Sequence, residues 1–130
     1  MIVDTSAIVA MLWSEPEAEA FASSVIDAGG AILSSANYLE AGIVIDGERD
    51  PITSARLDAL MQELEIEVAP VTAEQARIAR QAHRDFGKGS GHPAQLNFGD
   101  CFAYALTMER GEALLYKGDD FAHAGLAKVA

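Results

Sequence analysis

The stretch Met1-Ile2-Val3-Asp4-Thr5-Ser6-Ala7 opens the chain with three apolar residues, an acid and two hydroxyl side chains. Consecutive apolar residues predict a short strand, residues 1–4, that is buried on both faces. The segment from Thr5 to Trp13 has helical character, so Asp4 falls where the strand gives way to a helix. A strand followed directly by a helix is typical of α/β proteins with a parallel sheet.

The same alternation continues along the rest of the chain. Further short apolar strands are predicted at 31–34, 66–70 and 113–116, with an edge strand at 128–129. Between them, helices are predicted at 16–28, 36–46, 51–65, 72–86 and 97–110, and a final helical turn begins at 119. No repeat, low-complexity tract or linker interrupts the pattern. We therefore expect a single α/β domain, residues 1–130, with a mainly parallel central sheet of four to five short strands.

The composition is that of an ordinary globular protein, and it excludes several kinds of site. Half of the residues are hydrophobic and 22% are charged, a balance that permits a packed core. The single cysteine, Cys101, rules out an internal disulfide, and three scattered histidines do not complete a zinc site with it. Any metal would therefore be bound by oxygen ligands, as Mg²⁺ and Mn²⁺ prefer.

Neither the N-terminal residues nor the apolar stretches predict membrane attachment. The first residues lack the basic and apolar regions of a signal peptide, and no apolar stretch approaches the roughly 20 residues of a membrane helix. We expect a cytoplasmic protein without membrane contact. The net charge of −11 taken alone argues against nucleic acid, because phosphate binding normally needs a basic surface. The same charge suits a basic protein partner.

Five acidic residues stand where parallel sheets place functional sites, beyond the carboxyl ends of the strands. Each has an ordinary alternative, since an aspartate can cap a helix or favour its dipole and a glutamate can point to solvent. Together they predict one acidic cluster above one edge of the sheet. The five are Asp4 after the first strand, Glu40 in the helix after the second, Asp100 in the first turn of a later helix, and Asp119 and Asp120 after the fourth strand.

The helix that contains Glu40 is predicted to be mostly buried. Leu39, Ile43 and the Val44-Ile45 pair recur at the i, i+4 spacing of a core-facing stripe. A buried carboxylate needs a partner or a metal. Several anions buried together repel one another, and a divalent cation removes that repulsion while it activates water and neutralises charge at a phosphodiester.

Four blocks of the sequence together resemble the motifs of PIN domains, and of the VapC toxin branch in particular. Their order and spacing agree over the full chain. The resemblance implies a PIN-like three-layer αβα sandwich. The blocks are Met1-Ile2-Val3-Asp4-Thr5-Ser6-Ala7, the central Ser35-Ala36-Asn37-Tyr38-Leu39-Glu40, Leu96-Asn97-Phe98-Gly99-Asp100-Cys101-Phe102-Ala103-Tyr104-Ala105, and Leu114-Leu115-Tyr116-Lys117-Gly118-Asp119-Asp120-Phe121.

The resemblance also implies an activity, a cofactor and partners. It implies a Mg²⁺-dependent endoribonuclease, with Mn²⁺ as a substitute, that is held inactive by a VapB-type antitoxin and pairs as a homodimer. Asp4, Glu40 and Asp100 would form the acidic core, and either Asp119 or Asp120 the fourth acid. The hydroxyl of Thr5 or Ser6 would orient a metal-bound water or a phosphate.

An RNA substrate requires basic residues near such an acidic site, and one stretch of the chain supplies them. Arg77, Arg80 and Arg84 share a helix face at i, i+3, i+7 spacing, and Lys88 follows in the glycine-rich loop that leads toward Asp100. We expect Arg80, Arg84 and Lys88 to contact the phosphate backbone. The alternative is a solvated helix face that pairs with Glu74 and Asp85.

One functional alternative stays open, a PIN-fold module that binds RNA or protein without catalysis. Filled acidic positions argue against it but do not demonstrate turnover. Two phosphoryl-transfer classes fit less well. A response regulator needs a phosphorylated aspartate at the end of a central strand, and the third strand here ends in Ala69-Pro70. A haloacid-dehalogenase phosphatase needs a second acid two residues after Asp4, where Ser6 stands.

Overall fold

A computed structural model of the chain, which describes residues 1–130, contains one sheet of four parallel strands. The strand order is β3-β2-β1-β4, so the first strand is central, as expected for a strand buried on both faces. The α/β class and the parallel sheet are thereby confirmed. The strands are β1 Ile2–Val3, β2 Ala31–Ser34, β3 Ile66–Ala69 and β4 Leu114–Leu115.

Seven helices connect and cover the strands, and most begin at a residue whose side chain caps them. Asp4, Ser34, Asp50, Thr72 and Asn97 each accept a hydrogen bond from a backbone N–H of the first turn. None of the helices combines the length and the apolar composition that a bilayer-spanning segment requires. The helices are α1 Thr5–Leu12, α2 Ala18–Asp27, α3 Ser35–Asp46, α4 Pro51–Glu63, α5 Ala73–Phe86, α6 Phe98–Arg110 and α7 Asp120–His123.

The sheet separates two hydrophobic cores, which gives the three layers of an αβα sandwich. Successive strand residues point to opposite faces: Val3 and Leu115 pack with α1 to α4, whereas Ile2 and Leu114 pack with α5 to α7. All four side chains are fully or almost fully buried. Because the strands are parallel, their carboxyl ends meet at one edge of the sheet, and the segments that follow β1, β2 and β4 converge there.

The expected core-facing stripe of α3 is right at Ile45, which is fully buried, and wrong at Leu39 and Ile43. Leu39 and Ile43 are 62% and 65% exposed, and the residues that α3 buries are instead Asn37, Ala41 and Ile45. These three follow one another at i, i+4, i+8, whereas Leu39 and Ile43 each lie two residues from a member of this set and therefore on the opposite side of the helix. Leu39 and Ile43 thus belong to an exposed apolar surface of α3.

The edge strand expected at 128–129 does not form, and the sheet has four strands rather than five. The C-terminal segment is instead attached by side chains. Tyr116 donates its hydroxyl to the backbone carbonyl of Leu126 at 2.7 Å, and Lys128 Nζ lies 2.8 Å from Asp119 Oδ1. These contacts hold the segment near α7 without continuing the ladder.

Candidate active site

A polar pocket of about 370 Å³ lies at the carboxyl edge of the sheet, above β1. Strand β1 ends at this pocket, and residues of α1, α3 and α6 form its walls. A larger cleft of about 650 Å³ lies at the opposite, amino edge and contains none of the five predicted acids. The polar pocket is lined by Asp4, Ser6, Glu40, Asn97, Asp100 and Lys117 among others.

Asp4 is the most buried carboxylate of the pocket, with 3% of its surface exposed. Its Oδ2 caps α1 by accepting the Ser6 N–H at 3.0 Å, so the capping alternative is true of this oxygen. Its Oδ1 is buried and has no hydrogen-bond partner. Burial raises the pKa of Asp4 to about 7; the Ser6 hydrogen bonds oppose this shift, and the charges of Asp100 and Glu40 add to it.

Asp100 is half-buried and forms a capping box with Asn97 at the start of α6. Its Oδ2 accepts the Asn97 N–H at 3.0 Å, and Asn97 Oδ1 accepts the Asp100 N–H at 2.9 Å. The pKa of Asp100 is raised overall, chiefly because the carboxylate is partly buried. The charges of Asp120 and Glu40 add to this rise, whereas the Asn97 hydrogen bond and the charge of Lys88 oppose it. One carboxylate oxygen thus fixes the helix end, and the other accepts no hydrogen bond.

Glu40 is positioned by Asn37 and Gly99. Asn37 is fully buried, and its Nδ2 donates to Glu40 Oε1 at 3.3 Å and to the Gly99 carbonyl at 3.0 Å. A Cβ at Gly99 would overlap the Glu40 carboxylate, with the carboxyl carbon only 2.6 Å away. The glycine therefore leaves the space that the glutamate side chain occupies.

The two hydroxyl residues after Asp4 line the pocket and also tie neighbouring elements together. Thr5 Oγ1 donates to the Asn37 carbonyl at 3.2 Å, which joins α1 to α3. Ser6 Oγ accepts the backbone N–H of Lys117 at 3.0 Å, which joins α1 to the segment after β4. Any contact of either hydroxyl with a phosphate or a metal-bound water stays a prediction.

Asp119 and Asp120 have different surroundings. The Asp119 side chain is 74% exposed and pairs with Lys128, and this hydrogen bond lowers the pKa of Asp119. Asp120 begins α7, and its charge raises the pKa of Asp100. Asp120 therefore lies within electrostatic range of Asp100, whereas Asp119 pairs with the C-terminal segment; neither of them lines the polar pocket.

The basic face of α5 is only partly paired with acids. Arg77 forms an exposed pair with Glu74 at 3.4 Å, as the alternative proposed, but neither Arg80 nor Arg84 has an acidic partner. Lys88 likewise forms no ion pair and is close enough to Asp100 to lower its pKa. The basic stretch therefore ends beside the acidic pocket.

The chemistry of the pocket fits a hard divalent cation. The pocket offers carboxylate oxygens, and one of them, the buried Asp4 Oδ1, has no hydrogen-bond partner. The pKa of Asp4 is raised because the carboxylate is buried and lies near other negative charges. A cation would satisfy that oxygen and remove the repulsion. As the structure stands, no three acidic, histidine or cysteine side chains are grouped closely enough to hold a metal ion.

The fold and the acidic pocket define an α/β protein with a carboxylate site at the strand ends, and comparisons with known proteins specify its family. The PIN domain family model matches residues 1–126. Ribonuclease VapC28 of Mycobacterium tuberculosis and VapC ribonuclease Mb0625 of Mycobacterium bovis are each 56% identical over 129 residues, 99% of this chain and 97% of theirs. The chain therefore belongs to the PIN-domain family and, within it, to the VapC ribonucleases.

A solved structure supports the same fold. Mycobacterium tuberculosis VapC20, described as a sarcin-ricin loop cleaving toxin, matches with a TM-score of 0.73 and covers 98% of this chain and 97% of its own. Its sequence identity is 17%, so the match concerns the architecture alone. It agrees with the predicted three-layer PIN-like sandwich.

Two residues that shape the site, Asn37 and Gly99, received no role from the sequence. Asn37 precedes Glu40 by three residues, the spacing that lets a helical amide reach the next acid. Its burial could not be read from the sequence, because the spacing of Leu39 and Ile43 indicated the opposite face of α3 as the buried one. Gly99 gave no local signal, because its role depends on a side chain 59 positions away that only the tertiary fold brings close.

Proposed function

We propose that this chain is a Mg²⁺-dependent endoribonuclease, able to use Mn²⁺, and the toxin of a VapBC-type toxin–antitoxin pair. The observation that supports this most is Asp4, a carboxylate buried at the end of the central strand with one oxygen unpartnered and its pKa raised. A carboxylate buried in this way is strongly disfavoured unless a cation compensates it. The names of the VapC ribonuclease relatives point to RNA as the substrate.

Four acids would hold the cation. Asp4 and Asp100 each offer one oxygen that accepts no hydrogen bond, and Glu40 is held in place by Asn37. We propose Asp120 rather than Asp119 as the fourth, because Asp119 pairs with Lys128. When bound, a divalent cation lowers the pKa of a water and neutralises charge on the phosphodiester during hydrolysis.

The remaining residues of the pocket would orient the RNA. Thr5 and Ser6 both line the pocket; we propose that the hydroxyl of one of them orients a phosphate or a metal-bound water. Arg80, Arg84 and Lys88 would contact the phosphate backbone, since none of them is neutralised by an acid. The charge of Lys88, which acts on Asp100, would offset the net charge of −11 where RNA must approach.

Two protein partners belong to the proposal. The net charge of −11 favours a basic antitoxin, and a groove of about 310 Å³ between α3 and α4, with exposed Leu39 and Ile43 on its α3 side, offers an apolar surface for it. A homodimer remains a prediction, which light scattering of the purified chain would check. Co-expression with the neighbouring reading frame and recovery of a stable complex would test the antitoxin.

The experiment that tests the activity is cleavage of total cellular RNA by the purified chain, free of partner. Mg²⁺, Mn²⁺ and EDTA conditions would be compared, together with Asp4→Asn and Asp100→Asn variants. Discrete fragments that disappear with EDTA and with either variant are expected. Equal fragments from the variants would place the activity elsewhere. Folded protein that binds RNA but never cleaves it would favour the alternative, a PIN-fold module without catalysis.

A further inference from the structure

A second concave surface, which we call the aromatic cleft, lies between α5 and α6. It has a volume of about 240 Å³ and is lined by Arg80 and His83 of α5 and by Phe98 and Phe102 of α6. Phe98 is 79% exposed, more than any other large apolar side chain of the protein. Phe102 is half-buried and packs edge-to-face against the Phe98 ring, with ring centroids 4.9 Å apart and ring planes at 85°.

The position of Phe98 in the chain connects the aromatic cleft to the acidic pocket. Its neighbour Asn97 lines that pocket and caps the same helix. Its other neighbour, Gly99, provides the space for the Glu40 carboxylate. The capping box and the Asn37–Gly99 hydrogen bond fix the backbone on both sides, so the exposed ring stands on a rigid support at the rim of the candidate active site.

Single exposed apolar side chains are common on protein surfaces, so exposure alone does not identify an occupant. The cation beside Phe98 identifies the occupant. Arg80 lines the same cleft without an acidic partner. An aromatic ring beside unpaired cations is the combination that binds single-stranded nucleic acid, because the ring stacks a base while the cations attract the phosphates.

We propose that Phe98, together with Arg80, forms a subsite that stacks one unpaired base of the RNA next to the nucleotide held at the acidic pocket. This inference rests on the proposed ribonuclease function. The ring supplies a stacking platform that accepts any base, and the guanidinium can stack on or pair with the same nucleotide. The acidic pocket would select the phosphodiester, and the aromatic cleft would require that the neighbouring base be unpaired.

Binding to two matched probes tests the proposal. One probe is a fluorescein-labelled 12-nucleotide oligoadenylate, and the other is a ribose-phosphate chain of the same length without bases. Affinities are measured in an Asp4→Asn background, which we expect to prevent cleavage. Phe98→Ala should weaken binding of oligoadenylate about ten-fold, within the range for loss of one stacked base, and binding of the abasic chain less than two-fold. Phe98→Tyr should restore oligoadenylate binding.

Two control variants give the comparison its meaning. Ile52→Ala removes another strongly exposed apolar side chain, 74% exposed on α4, and should change neither affinity. Arg84→Gln should weaken both probes alike, because it removes only charge. If Phe98→Ala weakens both probes equally, weakens neither, or changes the oligomeric state of the protein, the base-stacking proposal is wrong. The binding assay does not depend on cleavage. If the unmodified chain cleaves no RNA, the proposed ribonuclease function is wrong, and the binding result still decides the base-stacking proposal.

Discussion

The carboxylate of Glu40 occupies the space in front of Gly99 where any other residue would place its Cβ. Asn37 hydrogen-bonds both partners, through Glu40 Oε1 at 3.3 Å and the Gly99 carbonyl at 3.0 Å. The contact joins α3 to the first turn of α6 and brings an acid from each helix to the same pocket. The absence of a side chain at Gly99 of α6 therefore determines where the Glu40 carboxylate of α3 can lie.

Gly99→Ala should separate activity from stability. The new methyl group would displace the Glu40 carboxylate, the movable end of a flexible side chain, so the fold is expected to tolerate it. Stability should change by less than about 1 kcal/mol, because Gly99 lies in the first turn of α6, where the advantage of alanine is smaller than inside a helix, and the Glu40 carboxylate must move. The RNA cleavage rate should fall roughly 100-fold, as expected for a misplaced catalytic group.

Thermal unfolding and single-turnover cleavage of the same preparations check this prediction. Gly42→Ala in α3 is the matched control, since a Cβ there would meet only Asp46 Oδ2 at 3.9 Å. It should gain up to about 1 kcal/mol of stability, because Gly42 lies inside α3, and it should keep full activity. Wild-type cleavage by Gly99→Ala would show that the position of Glu40 does not matter.

Asp120→Asn and Asp119→Asn should have unequal effects. Asp120 is close enough to raise the pKa of Asp100, so its neutralisation should lower cleavage at limiting Mg²⁺ at least about ten-fold. Asp119 pairs with Lys128 on the surface, and such exposed pairs contribute little, so activity should remain. Cleavage rates across a Mg²⁺ titration compare the two, and the opposite ranking would make Asp119 the fourth acid.

The stability of the metal-free protein should depend on pH through Asp4. Its pKa is raised from 3.8 to about 7 in the folded state, so the folded protein binds a proton that the unfolded chain releases. This stabilisation is complete below about pH 4 and is lost as the pH rises to about 7, a change on the order of 4 kcal/mol. Asp4→Asn keeps the capping oxygen but cannot ionise.

Denaturant unfolding in EDTA at pH 5 and pH 8 measures this effect. The unmodified chain should lose more stability than Asp4→Asn between the two values, and saturating Mg²⁺ at pH 8 should restore part of the loss. Parallel pH profiles for the two proteins would show that Asp4 is not the titrating group.

Arg80→Gln/Arg84→Gln should weaken RNA binding in a salt-dependent way. If both arginines contact phosphates, the slope of log affinity against log salt should decrease in magnitude by about 1.4, or about 0.7 for each contact with single-stranded RNA. Arg49→Gln/Arg56→Gln is the matched control, because these arginines are also exposed and without ion pairs. Equal effects of the two double variants would indicate a nonspecific contribution of net charge.

Much of the fold could be predicted from local patterns in the sequence. The strand at 31–34 and the helix at 51–63 follow from apolar runs, caps and Asp-Pro at a helix start, which are local signals. The face of α3 could not be predicted in this way. Leu39 and Ile43 have the spacing of a buried stripe, but the helix buries Asn37 and Ala41, because packing against α1 and α6 requires small and hydrogen-bonding residues there.

The candidate site was predictable to a similar extent. Asp4, Glu40 and Asp100 were identified from strand ends and from the family resemblance, and the structure brings all three to one pocket. Our preference for Asp120 over Asp119 rests on Lys128, which pairs with Asp119 and lies in a C-terminal segment that forms no strand. The role of Gly99 depends on a contact between distant parts of the chain, which no local pattern contains.

Divalent-metal binding, measured directly, tests the central claim that these carboxylates form a metal site. Isothermal titration of the partner-free chain with Mn²⁺ at pH 7.5 should show saturable binding. Binding should be lost or strongly weakened in Asp4→Asn and Asp100→Asn, and unchanged in Asp119→Asn. Equal Mn²⁺ binding by all four proteins, or none by the unmodified chain, would contradict the account.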